Sequence, residues 1–283
     1  YQNWYYSQIG KDIPKIGRNS WVYNYEALRE SRAPGNTCLS AIATSGGTGS
    51  PENEVNNSKG CGGVMRVAPI GCYYAKSGSR FLAAKVGAEA AALTHGHPLG
   101  YITAAFLSCL VCEIIKDKLA ERKTDLLDLV NETLEIIREM YGEKSHYNEF
   151  EDIIKKAIAL SGEIHEDADA ISQLGEGWVA EEALAIAVYS ALKYKDRFHK
   201  GVICAVNHNG DSDSTGAITG NILGAYLGLS AIDTDGSIIN KLEAYDVMYE
   251  ISQDLVKGCE MSEFGKYEDV KWLSKYVYCN YGE

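Results

Sequence analysis

At 283 residues, with 46% hydrophobic and 23% charged side chains, the chain has the composition of a globular protein able to bury a sizeable core. Its formal net charge of −12 argues against non-specific nucleic-acid binding, which depends on Lys and Arg contacts to phosphate, and an anionic ligand would have to be met by local donors. No stretch reads as a membrane span and no signal peptide is visible, so the expectation is a cytoplasmic protein without a membrane or nucleic-acid partner.

Helical periodicity dominates along the chain. Helices are expected over roughly 81–92, 100–116, 126–141, 149–160, 179–193, 214–227 and 238–256. The run Leu126-Leu-Asp-Leu-Val-Asn-Glu-Thr-Leu-Glu-Ile-Ile137 carries apolar residues three and four apart, the pattern of an amphipathic outer helix. Residues 44–59 form the longest polar, Gly/Asn-rich segment and read as a loop, and the charged region 118–150 reads as peripheral. No train of alternating strands is visible. With five prolines and no Ser/Pro-rich linker, one compact all-α domain over residues 1–283 is expected.

The eight cysteines, Cys38, Cys61, Cys72, Cys109, Cys112, Cys204, Cys259 and Cys279, are scattered. Cys109-Leu-Val-Cys112 has CxxC spacing, but it lies in an apolar run with no second pair nearby, so core thiols are favoured over zinc or redox ligands. Reduced thiols also suit the cytosol.

Chemistry concentrates in three places. In His208-Asn-Gly-Asp-Ser-Asp-Ser-Thr-Gly-Ala-Ile218, Asp211 and Asp213 alternate, so both can reach one ion, and carboxylate plus hydroxyl is a mixture that hard divalent cations accept. Helix N-capping explains the same residues without a metal and stays open. Gly216, Gly220, Gly224 and Gly228 follow at four-residue spacing, which predicts a glycine face packed closely on another backbone. In Ser58-Lys-Gly-Cys-Gly-Gly-Val-Met-Arg66, three glycines free the backbone to turn several N–H groups toward phosphate oxygens, with Arg66 adding charge; an ordinary glycine turn is the alternative. Glu181 and Glu182 are explained by helix N-terminal electrostatics. They point about 100° apart and make no dyad, although one of them can be buried against a neighbouring element.

Taken with Arg32-Ala-Pro-Gly-Asn-Thr37, Thr94-His-Gly-His-Pro98 and Gly177-Trp-Val-Ala-Glu-Glu-Ala-Leu-Ala185, the two motifs run in an order that resembles the ADP-ribosylglycohydrolase family, which includes the dinitrogenase-reductase-activating glycohydrolases. The resemblance covers most of the chain. It implies an orthogonal multi-helix bundle and an Mg²⁺-dependent (or Mn²⁺-dependent) hydrolase that removes ADP-ribose from modified side chains, arginine above all. Its metal would be bound by Asp211, Asp213 and Ser214, with Thr215 outside the ligand set. ADP-ribose, free or on a modified protein, would lie against Ser58, Gly60, Cys61, Gly62, Gly63, Met65, Arg66 and His95; His97 is expected to be structural. Cys61 stands where many members carry Asn. The family's opening Gly-Asp-Ala-x-Gly and Thr/Ser-Asp-Asp-Thr patterns do not occur in the chain. The expectation is therefore a domain lacking its N-terminal segment, with the catalytic acidic pair and the rest of a dinuclear site upstream of Tyr1. Two alternatives accompany this reading: a catalytically incomplete homologue that binds ADP-ribose, and an Mg²⁺-dependent nucleotide phosphohydrolase.

Overall fold

A computed structural model describes residues 1–11, 20–76, 78–233, 236–258, 265–266 and 268–278; Cys259 and Cys279 lie outside the described residues. The chain divides into two compact units, one of Tyr1–Gly47 with Asp235–Glu283 and one of Thr48–Thr234. The first unit opens with α1 (Gln2–Gln8) and α2 (Asn36–Ser45). The second contains α3 (Ala68–Ala75), α4 (Arg80–Ala92), α5 (Pro98–Leu119), α6 (Leu126–Tyr141) and α7 (Tyr147–Ser161). It continues with α8 (Asp167–Ser172), α9 (Ala180–Lys193), α10 (Phe198–Val206), α11 (Ser212–Leu227) and α12 (Leu229–Ile232). Last come α13 (Tyr245–Lys257) and α14 (Val270–Tyr276), again in the first unit. The fold is all-α, and among the described residues no strand is formed.

Helix α5 is the axis of the second unit. Pro98 occupies its first turn, where no intrahelical N–H is needed, and His97 caps it by accepting the Leu99 N–H at 3.1 Å. Its 22 residues have a mean hydropathy of 1.8 in their most apolar window, long and apolar enough to cross a membrane, which corrects the sequence expectation that no stretch is. In the structure 94% of that window is buried inside the protein, so α5 has the environment of a core helix. Helices α3, α4, α6, α7, α9 and α11 pack around it. Small residues set how close they come: a Cβ on Gly71 of α3 would lie 2.5 Å from the Ser108 carbonyl oxygen. Ala83, Ala84, Gly87, Ala88, Ala91 and Ala92 form the buried face of α4. Burying a Leu or Ile side chain in such packing is worth roughly 1.5–3 kcal/mol.

Most long helices appear where the apolar period places them, and α6 matches its expected bounds. Its start is fixed by Asp125, whose side chain accepts the Leu127 N–H at 3.0 Å. Expected helix 238–256 is interrupted: a single 3₁₀ turn spans Ile239–Lys241, Ala244 adopts a left-handed φ of 57°, and only then does α13 begin. The glycine stripe is a second correction. The buried face of α11 is Ile218, Thr219, Ile222 and Leu223, and a Cβ on Gly220 would meet nothing within 4 Å. Close backbone approach is found on α3 and α4 instead. Nothing in the structure explains the glycine at 220.

Cys109 and Cys112 are core thiols on α5, and burial pushes Cys112 up to about 11. In the first unit, buried Lys275 of α14 binds Asp254 of α13 at 2.6 Å and lies 5.0 Å from the centre of the Trp21 ring.

Candidate functional site

The 58–66 loop is pinned along both edges. On one, the Ala180 N–H donates to the Lys59 carbonyl (2.8 Å) and the Cys61 N–H to that of Trp178 (3.2 Å), so Gly60 and Val179 form an isolated antiparallel bridge. On the other, the Asn56 Oδ1 accepts from the Ser58 and Gly96 N–H groups (3.0 and 3.1 Å), while Nδ2 donates to the Thr94 carbonyl (2.8 Å). Beyond the loop, Val64–Arg66 makes one 3₁₀ turn before α3. None of Gly60, Gly62 and Gly63 has a left-handed φ. Glycine matters here for space. A Cβ on Gly60 would sit 3.4 Å from His95 Nε2, and one on Gly63 would press on Ala91 Cβ at 3.1 Å.

The acidic motif is held by the turn before α9. Glu182 reaches back to accept the backbone N–H groups of Glu176 (3.0 Å) and Gly177 (3.1 Å). Gly175 and Gly177 meet that demand with φ of 121° and 81°, values L side chains rarely adopt. The Glu176 carbonyl then accepts the Asp211 N–H at 2.8 Å. Gly210 passes so close that a Cβ there would lie 1.7 Å from the same carbonyl oxygen. Asp211 is the N-cap residue of α11, yet its side chain makes no capping hydrogen bond of ordinary geometry.

Asp211 faces the loop instead. The Cys61 thiol donates to Asp211 Oδ2 at 2.7 Å, and the Ser214 hydroxyl lies 3.4 Å from Cys61 Sγ and 3.3 Å from Met65 Sδ. Two motifs 150 residues apart in sequence therefore meet. Burial works to raise the Asp211 carboxyl, but hydrogen bonds from Asp213, Cys61 and Ser214 outweigh it and hold the group below its usual range. Asp213 moves the other way, pushed up by its hydrogen bond to Asp211 and then by burial. Burial and the Asp211 contact push the Cys61 thiol up to about 12. Thr215 points away from this group; its hydroxyl is buried and donates to the Ala205 carbonyl at 2.7 Å.

His95 lies on the opposite side of the loop, 2% exposed, and its Nδ1 is 2.7 Å from the Thr94 hydroxyl. Burial, then the Arg66 guanidinium, lowers its pKa to about 4, so the ring is neutral near pH 7. Arg66 is bonded to residues beside His95. One guanidinium nitrogen donates to the Ala90 carbonyl and the Thr94 hydroxyl, both at 2.8 Å. His97 serves as the α5 cap and packs against His146, with ring centres 4.6 Å apart and the planes tilted by 45°.

Several participants went unnoticed in the sequence. Asn56 fell there within the segment read as a loop, and Thr94 was part of a family motif without a role of its own. Lys59 forms an ion pair with buried Glu181, whose Oε2 has no partner among the described residues. Glu182 did carry a signal: it is the third residue of α9, the position from which a carboxylate reaches back to preceding N–H groups.

The family resemblance implies a divalent cation at the acidic end of α11. Among the described residues no cluster of three or more His, Cys, Asp and Glu is placed to hold a metal. Asp211, Asp213 and Ser214 offer two carboxylates and a hydroxyl. Mg²⁺ is commonly held by one or two carboxylates with water and ligand oxygens completing its shell, so the set fits in kind. A cation there would also relieve the repulsion between two carboxylates whose ionisations oppose each other.

Comparison with known proteins places the chain in a family. A family model described as ADP-ribosylglycohydrolase matches residues 1–264. The chain is 29% identical to the ADP-ribosylhydrolase ARH3 of Gallus gallus over 193 residues, which is 60% of this chain and 50% of that protein. Identity to the Mus musculus ADP-ribosylhydrolase ARH3 is 25%, over 62% of this chain and 51% of that one. The chain thus spans about half the length of these relatives. A solved structure titled ADP-ribosylglycohydrolase-related protein complex superposes with a TM-score of 0.52 at 25% identity, covering 79% of this chain and 69% of that one.

Proposed function

The chain belongs to the ADP-ribosylglycohydrolase family, and from that membership we propose that it takes part in the divalent-metal-dependent release of ADP-ribose from modified side chains, with ADP-ribosylarginine as the substrate. One observation carries the reading: the Cys61–Asp211 contact at 2.7 Å, which joins the glycine loop and the acidic end of α11 into one site.

In this reading the 58–63 loop receives the diphosphate. Its backbone groups are fixed by the Gly60–Val179 bridge and by Asn56, so little ordering remains to be done on binding. His95, neutral and buried, faces the loop beside Gly60. Asp211, Asp213 and Ser214 would hold the cation, which supplies charge to orient ribose hydroxyls and to favour attack by water. Glu182 and Gly210 keep Asp211 in register with the loop. The reaction adds water across the bond between the anomeric carbon and the guanidine nitrogen: hydroxyl goes to carbon and a proton to nitrogen. No residue described here is assigned as the acid or base.

The test is product analysis with ADP-ribosylarginine in the presence of Mg²⁺ or Mn²⁺. Intact ADP-ribose and free arginine are the expected products. Release of inorganic phosphate from the diphosphate would instead favour a phosphohydrolase.

A further inference from the structure

We propose that His97 is a proton-sensitive latch on the 58–63 loop: neutral, its ring caps α5 and keeps that helix's first turn against the loop; protonated, it loses the cap and releases the loop's edge. The direction of one hydrogen bond fixes the starting state. A backbone N–H only donates, so the Leu99 N–H at 3.1 Å makes His97 Nδ1 an acceptor. Nδ1 is therefore bare, and the neutral ring carries its hydrogen on Nε2. Ser, Thr and Asn, the usual residues at a helix N-cap, keep their accepting oxygen at any pH near neutrality. Histidine does not. A second proton lands on Nδ1, where it opposes the Leu99 N–H and sets a cation against the positive end of the α5 dipole.

The capped turn bears directly on the loop. The His97 N–H donates to the Ser58 carbonyl at 3.3 Å, and the Gly96 N–H donates to Asn56 Oδ1, the oxygen that also receives the Ser58 N–H. A Cβ on Gly96 would lie 2.3 Å from the Asn56 carbonyl oxygen, and one on Gly100 would lie 3.2 Å from that of Ser58. Backbone thus rests on backbone, and a shift of the first turn of α5 reaches the loop at once. The charged and titratable groups around the ring come from three places. His146 caps α7 with a left-handed φ of 65°, its ring centre 4.6 Å from that of His97, and it is paired with Glu149 of α7 at 2.7 Å. Lys59 belongs to the loop itself, and Glu54 to the segment before it. Burial, then His146, then Lys59 lower the His97 pKa from its ordinary 6.5, outweighing Glu149 and Glu54. A lowered folded pKa means that the cap is fully present above pH 6.5 and is lost as pH falls below it.

The latch does not depend on which ligand the loop takes, so it is tested without one. In the protein labelled with ¹⁵N-histidine, long-range ¹⁵N–¹H correlation from about pH 7.5 to about pH 5 follows both ring nitrogens of His97. Nε2–H alone is expected at the upper limit, with the second proton arriving on Nδ1 below pH 6.5. Amide hydrogen exchange, divided by the intrinsic rate at each pH, should show protection at Gly96, His97 and Leu99 falling about fivefold or more over the same transition, the worth of a helix cap. His97→Asn and His97→Ser supply caps that do not titrate, so protection at Gly96 and Leu99 should stay level in both. Circular dichroism at each pH confines the comparison to folded protein. Nδ1–H at the upper limit, a ring still neutral at the lower one, protection that stays level in the parent while His97 takes up its proton, or an equal fall in folded His97→Asn and His97→Ser overturns the latch.

Discussion

Gly210 offers a sharp test of how the acidic motif is held. A methyl group there would lie 1.7 Å from the Glu176 carbonyl oxygen and 2.8 Å from its Cα, and real Cβ atoms essentially never approach closer than 3.0 Å. Gly210→Ala must therefore push the two strands of backbone apart by about 1.3 Å. The Asp211 N–H to Glu176 carbonyl bond, now 2.8 Å, cannot survive that displacement. Losing it costs about 1 kcal/mol and forcing the methyl into packed backbone a further 1–3 kcal/mol, so about 2–4 kcal/mol of stability should disappear. Gly220→Ala on the same motif's helix is the control. Its Cβ would meet nothing within 4 Å, and alanine should stabilise a helix interior by up to about 1 kcal/mol. Urea unfolding of the two variants beside the parent gives both free energies, and calorimetric titration with Mn²⁺ reads whether Asp211 has moved. Gly210→Ala within about 0.5 kcal/mol of the parent would refute the claim that this contact positions Asp211.

Three further outcomes follow from the same geometry. The folded pKa of His95 lies near 4, below the unfolded value of about 6.5, so unfolded chains bind more protons between those pH values. Its contribution is complete above pH 6.5 and is lost as pH falls toward 4, on the order of 3 kcal/mol at most; urea midpoints of the parent and His95→Asn across that window measure it. Lys59→Met should cost about 1–3 kcal/mol, less than for a fully buried pair because Lys59 is 40% exposed, and adding Glu181→Gln should recover part of the loss in the same unfolding assay. Glu182→Ala removes two hydrogen bonds to a charged acceptor, so it should destabilise by about 2–4 kcal/mol and raise amide hydrogen exchange at Glu176 and Gly177.

The long helices were legible because a local period produces them: α6 buries Leu126, Leu129, Val130, Thr133, Leu134, Ile136 and Ile137, the stripe visible in the sequence. Short helices such as α3 and α8, with eight and six residues, hold too few turns for a period to stand out. The glycine stripe of α11 misled because spacing specifies a shared face but not which neighbour that face meets. At the candidate site the family's motifs drew the sequence reading to the 58–66 loop and to the acidic motif at 208–218. It did not show that Cys61 donates to Asp211, that Arg66 turns to Thr94, or that Glu181 is paired with Lys59. Each of these depends on contacts across many residues of chain, for which no local pattern exists.

The account rests on the glycine loop and the acidic end of α11 acting as one site. Calorimetric titration of ADP-ribose in Mg²⁺ and again in chelator, on the parent and on Asp213→Asn, tests it most directly. Asparagine keeps the shape and still suits a helix N-terminus, but it withdraws one charge from the cation. If ligand and metal share the site, each must strengthen the other's binding. ADP-ribose should therefore bind the parent more tightly in Mg²⁺ than in chelator, and most of that difference should vanish in a folded Asp213→Asn. Equal affinity in Mg²⁺ and chelator, or an Mg²⁺ effect that Asp213→Asn leaves intact, would contradict the account.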